Sequence, residues 1–352
     1  MMIDKIEIKK IMNALMVEHW GILTIDADQL PKLIEREQHI REILLERGTK
    51  EFEQDLDKRF LFSSGKKIGT IIAIGIPYDP IGSALPNVSG RVDNFAWEHD
   101  YHEILRNLLN AINIETTKFL SNPVIAPEVC VDTADYIDRE IGLYTGLGKI
   151  GKNHFLIHPE MGTHFFIGYL IYDRILEIDP AEINRFDFEN TLLAECEDCN
   201  RCSSACPTKI CGGPIMDSNK CIAMLTQTKR VLNDQEREWI GNSLYGCNIC
   251  QKVCPMNKSL SAHPNLATKT DNQIDLYELL DMNNKTFKKK YGKMGFSWRS
   301  LWVYKRNALI ILGNHGNRSD LEVLNKKTEL MMNPKLKATF LWAVGRLESR
   351  ET

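Results

Sequence analysis

Residues 196–207 of this chain read CEDCNRCSSACP, four cysteines at intervals of two, two and three residues closed by a proline, and residues 247–255 repeat the second half as CNICQKVCP. Thiolates are soft metal ligands. The run C-x2-C-x2-C-x3-C-P is the spacing by which two-cluster ferredoxins give three sulfurs to one [4Fe-4S] cube and the fourth to its neighbour. Applied to both runs, it groups Cys196, Cys199, Cys202 and Cys254 as one set. Cys247, Cys250 and Cys206 form most of a second set, whose fourth thiolate is most simply Cys221. Pro207 and Pro255 follow the crossing cysteines, where the backbone leaves in a new direction. A pair of structural zinc sites is the competing reading, but zinc has no use for a triplet with a fourth cysteine three residues on. Two adjacent clusters make a wire for single electrons, and a wire implies a terminus elsewhere in the chain. Cys130 and Cys211 are left over. Cys211 reads as a small buried hydrophobe, whereas Cys130 stands two residues before an aspartate considered below.

The rest of the composition is that of an ordinary folded chain, with 352 residues, 43% hydrophobic and 26% charged. The N-terminal MMIDKIEIKKIMNALMVEHWG mixes charged and apolar residues at helical spacing, so it reads neither as a signal peptide nor as a twin-arginine signal. No apolar run of about 18 residues offers a membrane span. The expected location is cytoplasmic, and in that reducing compartment clustered cysteines argue for metal ligation rather than disulfides. The formal charge of −3 gives no global attraction to nucleic acid, yet Met282 to Ser319 holds nine Lys or Arg and no Asp or Glu.

The elements that would position such a wire follow from periodicity. Ile3 to His19 and Asp28 to Arg47 have helical spacing, and IGTIIAIGIPY at 68–78 is a buried strand. His99 to Leu120 and Ala134 to Tyr144 read as helices, residues 123–132 end in a strand, and 154–173 reads as a hairpin. These predict an α/β layered domain over 1–190, a cysteine-rich unit over 191–260 too small to fold without its metals, and a small helical unit over 261–352. In the last, RNALIILGN (306–314) and ATFLWAVGRL (338–347) hint at a HEAT-like repeat. No G-x-G-x-x-G follows a strand, which argues against a nicotinamide or flavin Rossmann site.

The segments VDTADYIDRE, GLGKIGKN and HDYH, the double ferredoxin motif and SWRS…RNALIILGN together resemble the cobalamin-dependent epoxyqueuosine reductases, in the same order and over nearly the whole chain. The resemblance implies an α/β corrin-binding domain related to that of reductive dehalogenases and nitroreductase-like in fold. It also implies a bacterial two-[4Fe-4S] ferredoxin domain and a HEAT-like C-terminal domain that helps hold tRNA. The implied reaction removes the epoxide oxygen of epoxyqueuosine in tRNA to give queuosine, with electrons from an external donor passing through the clusters to cobalamin. The implied proton donor is Asp132, kept protonated if burial raises its pKa; read by position alone, Asp132 would cap a helix beginning near Ala134. Arg139 would neighbour it, or else be a solvated helix charge. Asp100, Tyr101 and His102, with Trp97 upstream, match the family's segment near the cofactor. Gly151 would let backbone approach the corrin closely, and Lys152 and Asn153 would donate to it.

The stretch NKTFKKKYGKMGFSWRSLWVYKR interleaves cations with aromatics, which suits phosphate contact and base stacking in an anticodon loop, or else a solvated face over a packed core. Two rival functions share the wire: a corrinoid reductive dehalogenase, disfavoured by the lack of an export signal, and a non-catalytic electron carrier, for which the N-terminal domain is larger than needed. The chain is expected to act as a monomer without a membrane partner.

Overall fold

The computed structural model describes residues 5–47, 60–79, 89–97, 100–119, 126–132, 136–176, 191–213, 216–257, 262–267 and 272–350. The chain opens with α1 (Lys5–Ala14), β1 (His19–Thr24), α2 (Gln29–Arg47), β2 (Thr70–Pro77) and β3 (Ser89–Val92). It continues through α3 (Tyr101–Thr117), β4 (Glu128–Val131), α4 (Asp138–Tyr144), the two-residue strands β5 (Lys149–Ile150) and β6 (Leu156–Ile157), and β7 (Phe165–Tyr172). Strands β1, β2, β7 and β4 form one sheet in that order, each pair antiparallel. Alternate side chains of β2 enter opposite layers. Ile72, Ile74 and Ile76 join Ile8 and Met12 of α1 and Leu105 and Leu109 of α3, while Ile71 and Ala73 join Leu33 of α2 and Ile141, Leu143 and Tyr144 of α4. Burial on both faces is why this strand reads as a continuous apolar run.

Two expected elements differ. The helix expected to reach His19 stops at Ala14, because Met16 turns into the left-handed region at φ +58° and the chain then pairs His19–Thr24 with Gly75–Thr70 as β1. Pairing with a buried strand outweighs the helical periodicity of the sequence. The expected hairpin is also rearranged: β6 pairs with β5, β7 pairs with β2 and β4, and only the bridge between His158 and Gly162 closes the turn.

The second half contributes α5 (Asp234–Ile240), β8 (Ser243–Tyr245), β9 (Gln273–Asp275), α6 (Leu276–Asp281), α7 (Asn284–Tyr291), α8 (Leu301–His315), α9 (Arg318–Asn325) and α10 (Lys337–Glu348). The boundaries expected at 190 and 260 fall outside the described residues. β3, β8 and β9, one from each expected domain, form a single three-stranded sheet with β3 in the middle. Val92, Leu244, Ile274 and Leu309 share one core beneath it. Among α8 and α10, which carry the two loosely similar segments, Gly313 lets the Trp342 ring approach so closely that a Cβ there would lie 2.4 Å from it. Among the described residues no helix is long and apolar enough to cross a membrane.

Arg306, counted above with the basic stretch, is 1% exposed. Its guanidinium donates to the carbonyls of Thr228 at 2.6 Å and Leu225 at 2.9 Å, and Asn307 donates to those of Thr226 at 2.7 Å and Leu244 at 2.8 Å. This clamp closes the loop that follows Cys221. Arg306→Met would leave buried carbonyls unpaired, at about 1–3 kcal/mol each. The expected outcome is a melting temperature lower by on the order of 5 °C with poorer iron retention, measured by thermal unfolding and iron analysis; an unchanged transition would mean that the clamp does not hold the loop.

Candidate functional site

Strand β4 ends at Val131, and Asp132 follows with φ +48°. This left-handed turn, which aspartate tolerates better than most residues, carries the carboxylate to the N-terminus of α3. There Asp100 caps the helix, accepting from the His102 backbone N–H at 3.1 Å, and its Oδ1 lies 2.6 Å from His102 Nδ1. The Tyr101 hydroxyl donates to Asp132 Oδ2 at 2.6 Å, and His102 Nε2 lies 3.3 Å from the same oxygen. Tyr101 is held in turn by stacking on Phe166 of β7, centroids 3.9 Å apart. Asp132 is not a helix cap: α4 starts at Asp138, with Ile137 at the capping position.

The electrostatics reverse one expectation. The hydrogen bond with His102 holds the Asp132 carboxyl below its ordinary range and raises the His102 imidazole above 6.5. Burial pushes Asp132 upward, as anticipated, but is outweighed, and the side chain is 57% exposed. The unliganded pair thus favours a carboxylate beside a protonated imidazole.

Arg139, in the first turn of α4, donates to the His154 carbonyl at 2.6 Å and lies 4.7 Å over the Phe155 ring. Burial lowers its pKa, opposed by Asp138, Cys221, Cys250 and Asp132. It is thus the cation shared by the aspartate and the cysteines. Tyr245 of β8 also lies within reach of the Asp132 charge; nothing in its sequence context marked it. Trp97 turns away from this cluster and stacks on Phe296, centroids 5.9 Å apart.

All ten cysteines are free thiols. Cys196, Cys199, Cys202 and Cys254 line one cleft. In a second group Cys221 faces Cys206 and Cys247, and Cys250 faces Cys247 and Cys221. Soft donors converging without disulfides fit iron–sulfur ligation. The turn at Gly151, Lys152 and Asn153 belongs to this cradle. Lys152 Nζ donates to the carbonyls of Glu197 at 2.7 Å and Cys199 at 3.2 Å, Asn153 is buried in the wall of the first cleft, and a Cβ on Gly151 would meet Ile157 at 2.4 Å. Cys130 packs into the core beside the sheet, where burial pushes its thiol up. Cys211 is buried, yet not among apolar groups alone: its thiol is within hydrogen-bonding reach of Cys250, Cys206 and Cys202.

The basic stretch divides. Lys285, Lys288, Lys289 and Lys293 are exposed, Lys290 pairs with Glu278, Lys305 donates to the Leu280 carbonyl at 2.6 Å, and Arg306 is interior.

Comparison with known proteins places these features together. Residues 195–257 match the family model of a 4Fe-4S double cluster binding domain. An epoxyqueuosine reductase of Staphylococcus aureus is 34% identical over 298 residues, covering 80% of this chain and 73% of the relative. One of Bacillus anthracis is 33% identical over 84% of this chain and 77% of its own. The chain belongs to the epoxyqueuosine reductase family. A crystal structure of an epoxyqueuosine reductase with a tRNA-Tyr epoxyqueuosine-modified stem loop superposes with a TM-score of 0.78 at 29% identity, covering 97% of this chain and 90% of that one. A Bacillus subtilis epoxyqueuosine reductase, with its catalytic aspartate loop swung out of the active site, gives 0.76 at 27% identity, covering 96% and 90%.

Five thiols crowd the second group, so substitution decides which of them ligate. Cys221→Ala should lose about half of the iron, the share of one of two equal clusters, while Cys211→Ala should keep it all. Anaerobic iron and sulfide analysis with electron paramagnetic resonance of the reduced proteins checks this; the reverse pattern would make Cys211 the ligand.

Proposed function

We propose that this chain reduces epoxyqueuosine in tRNA to queuosine, using two [4Fe-4S] clusters and cobalamin. The observation that carries the reading is the hydrogen-bonded set of Asp132, Tyr101 and His102 beside Arg139, which also faces Cys221 and Cys250. A proton source and an electron path therefore meet at one place. Opening the epoxide to an alkene takes two electrons and two protons and releases the oxygen as water, so both are needed there.

Cys196, Cys199, Cys202 and Cys254 would hold the first cluster, and Cys206, Cys221, Cys247 and Cys250 the second. When bound, cobalamin supplies low-potential reducing power at the substrate, replenished one electron at a time from the clusters. The groups that remain to contact a corrin are Asp100 and His102, since Trp97, Arg139, Gly151, Lys152 and Asn153 are engaged in packing, with loop carbonyls and in the cysteine cradle. Tyr101 and His102 both address Oδ2 of Asp132, and among the described residues none bonds its Oδ1. That oxygen can face the epoxide. Asp132 takes up the proton of His102, whose imidazolium is steadied by Asp100, and hands it to the departing oxygen. In this reading residues 1–190 bind the corrin, 191–260 carry the clusters and 261–352 contact tRNA, joined through the sheet of β3, β8 and β9. An external donor supplies electrons to a cytoplasmic monomer.

Asp132→Asn should keep iron content and cobalamin absorbance but lower single-turnover reduction of epoxyqueuosine-containing tRNA by roughly 10²- to 10⁴-fold, the usual worth of a positioned proton donor. Since His102 is useful while protonated and its pKa is raised above 6.5, the rate should decline as pH climbs through that raised value. His102→Gln should slow the reaction and abolish that limb; a limb that persisted in the variant would belong to another group.

The exposed lysines of α7 suit phosphate contact. Reversing Lys285, Lys288 and Lys289 to Glu should weaken tRNA binding and flatten its dependence on log salt by about 2 to 3 units of slope, at roughly 0.7–0.9 for each phosphate no longer neutralised. Filter binding across a salt series is the measurement, and an unchanged slope would return α7 to the role of a solvated face.

A further inference from the structure

We propose that Trp298 is the platform on which one flat, unpaired base of the anticodon loop stacks as the modified base enters the site. This assigns a substrate-binding residue and rests on the tRNA reading above.

The aromatics of the basic stretch sort sharply by burial. Phe287, Tyr291, Phe296 and Tyr304 are at most 5% exposed and belong to the core, and Trp302 is partly buried with Lys335 5.2 Å over its ring. Trp298 is 59% exposed. Its indole N–H donates to the Tyr245 hydroxyl at 2.8 Å, so the ring's polar group is satisfied inside the protein and its orientation is fixed. The Arg299 guanidinium lies 3.7 Å from the ring centroid, a cation–π contact. What Trp298 offers outward is therefore a rigid π-surface with no donor of its own to place, which suits stacking on any base better than reading one edge.

Its position ties this surface to the chemistry. Tyr245, its hydrogen-bond partner, lies within reach of the charge on Asp132 and also acts on Tyr101. The turn that presents Trp298 packs on the approach to α3: a Cβ on Gly295 would lie 3.4 Å from Ala96, and Phe296 stacks on Trp97, three residues before the Asp100 cap. The exposed lysines of α7 precede it in sequence, so phosphate contact and base stacking come from one segment. Met332, Val231, Ile6 and Ile114 are at least as exposed, but they are aliphatic and offer no aromatic face for a base.

The test compares wild type, Trp298→Ala and Trp298→Phe, each with its clusters and cobalamin, on an epoxyqueuosine-modified anticodon stem loop. Trp298→Ala should raise Kd and KM by about 5- to 150-fold, the range for removing one base–aromatic stack, with kcat nearly unchanged. Trp298→Phe keeps a ring but lacks the N–H, so it should recover most of the affinity. Equal affinity in wild type and Trp298→Ala would overturn the proposal. So would a Trp298→Phe variant as weak as the alanine, which would make the bond to Tyr245 the active element. Failure of the wild type to bind or reduce the stem loop would instead sink the tRNA reading itself.

Discussion

A segment that matches a 4Fe-4S double cluster binding domain must be ordered with almost no core of its own, and most of the architecture answers to that constraint. Between 191 and 257 Leu225, Leu232 and Ile240 form a small apolar cluster completed by Ile310 from α8, and Leu244 and Tyr245 join the C-terminal core. Order comes from neighbours that satisfy its polar groups. β3 pairs with β8, Arg306 and Asn307 close the loop after Cys221, and Lys152 fixes the first cysteine loop. The turn after β6 is bolted to the end of the second run: Thr163 N–H donates to Asn257 Oδ1 at 2.7 Å, and Gln251 donates back to the Thr163 carbonyl at 3.1 Å. Unpaired buried carbonyls and amides are costly, so the cysteine segment is ordered only where the flanking units reach it.

That dependence brings the active groups together. The β3 pairing that fixes β8 also places Tyr245 near Asp132, and α4, which packs on the sheet through Ile141 and Leu143, aims Arg139 between Asp132 and the second cysteine group. A cation there lies within reach of both the carboxylate and the cysteine sulfurs, without belonging wholly to either.

Much of this was legible because spacing encodes it. The intervals of the cysteine runs marked an iron–sulfur segment before any fold was known, and the apolar run of β2 named the centre of the sheet. Legibility failed where a long polar side chain has a choice. Lys152 and Arg306 look alike in sequence to solvated cations, yet one binds loop carbonyls and the other is interior; burial of a charge depends on carbonyls presented by distant segments. Trp97 sits beside a family-matched motif but belongs to the C-terminal core. Strand β1 was hidden because HWGILT continues a helical pattern, and its partner lies about fifty residues on.

The least readable feature is also the most consequential. Among the described residues β4 is an edge strand, paired only with β7, and Asp132 leaves it through a left-handed turn. Such a conformation costs an ordinary residue about 1–2 kcal/mol, while a hydrogen bond to a charged group contributes about 1.5–3. Two such bonds, from Tyr101 and His102, are enough to hold the turn. Both donors stand in the first turn of α3, whose start is fixed by the Asp100 cap, and the same Asp100 carboxylate steadies the His102 ring. Helix start, strained turn and proton-bearing pair are therefore one mechanical unit, and a change to the cap reaches the carboxylate through the imidazole rather than through the fold.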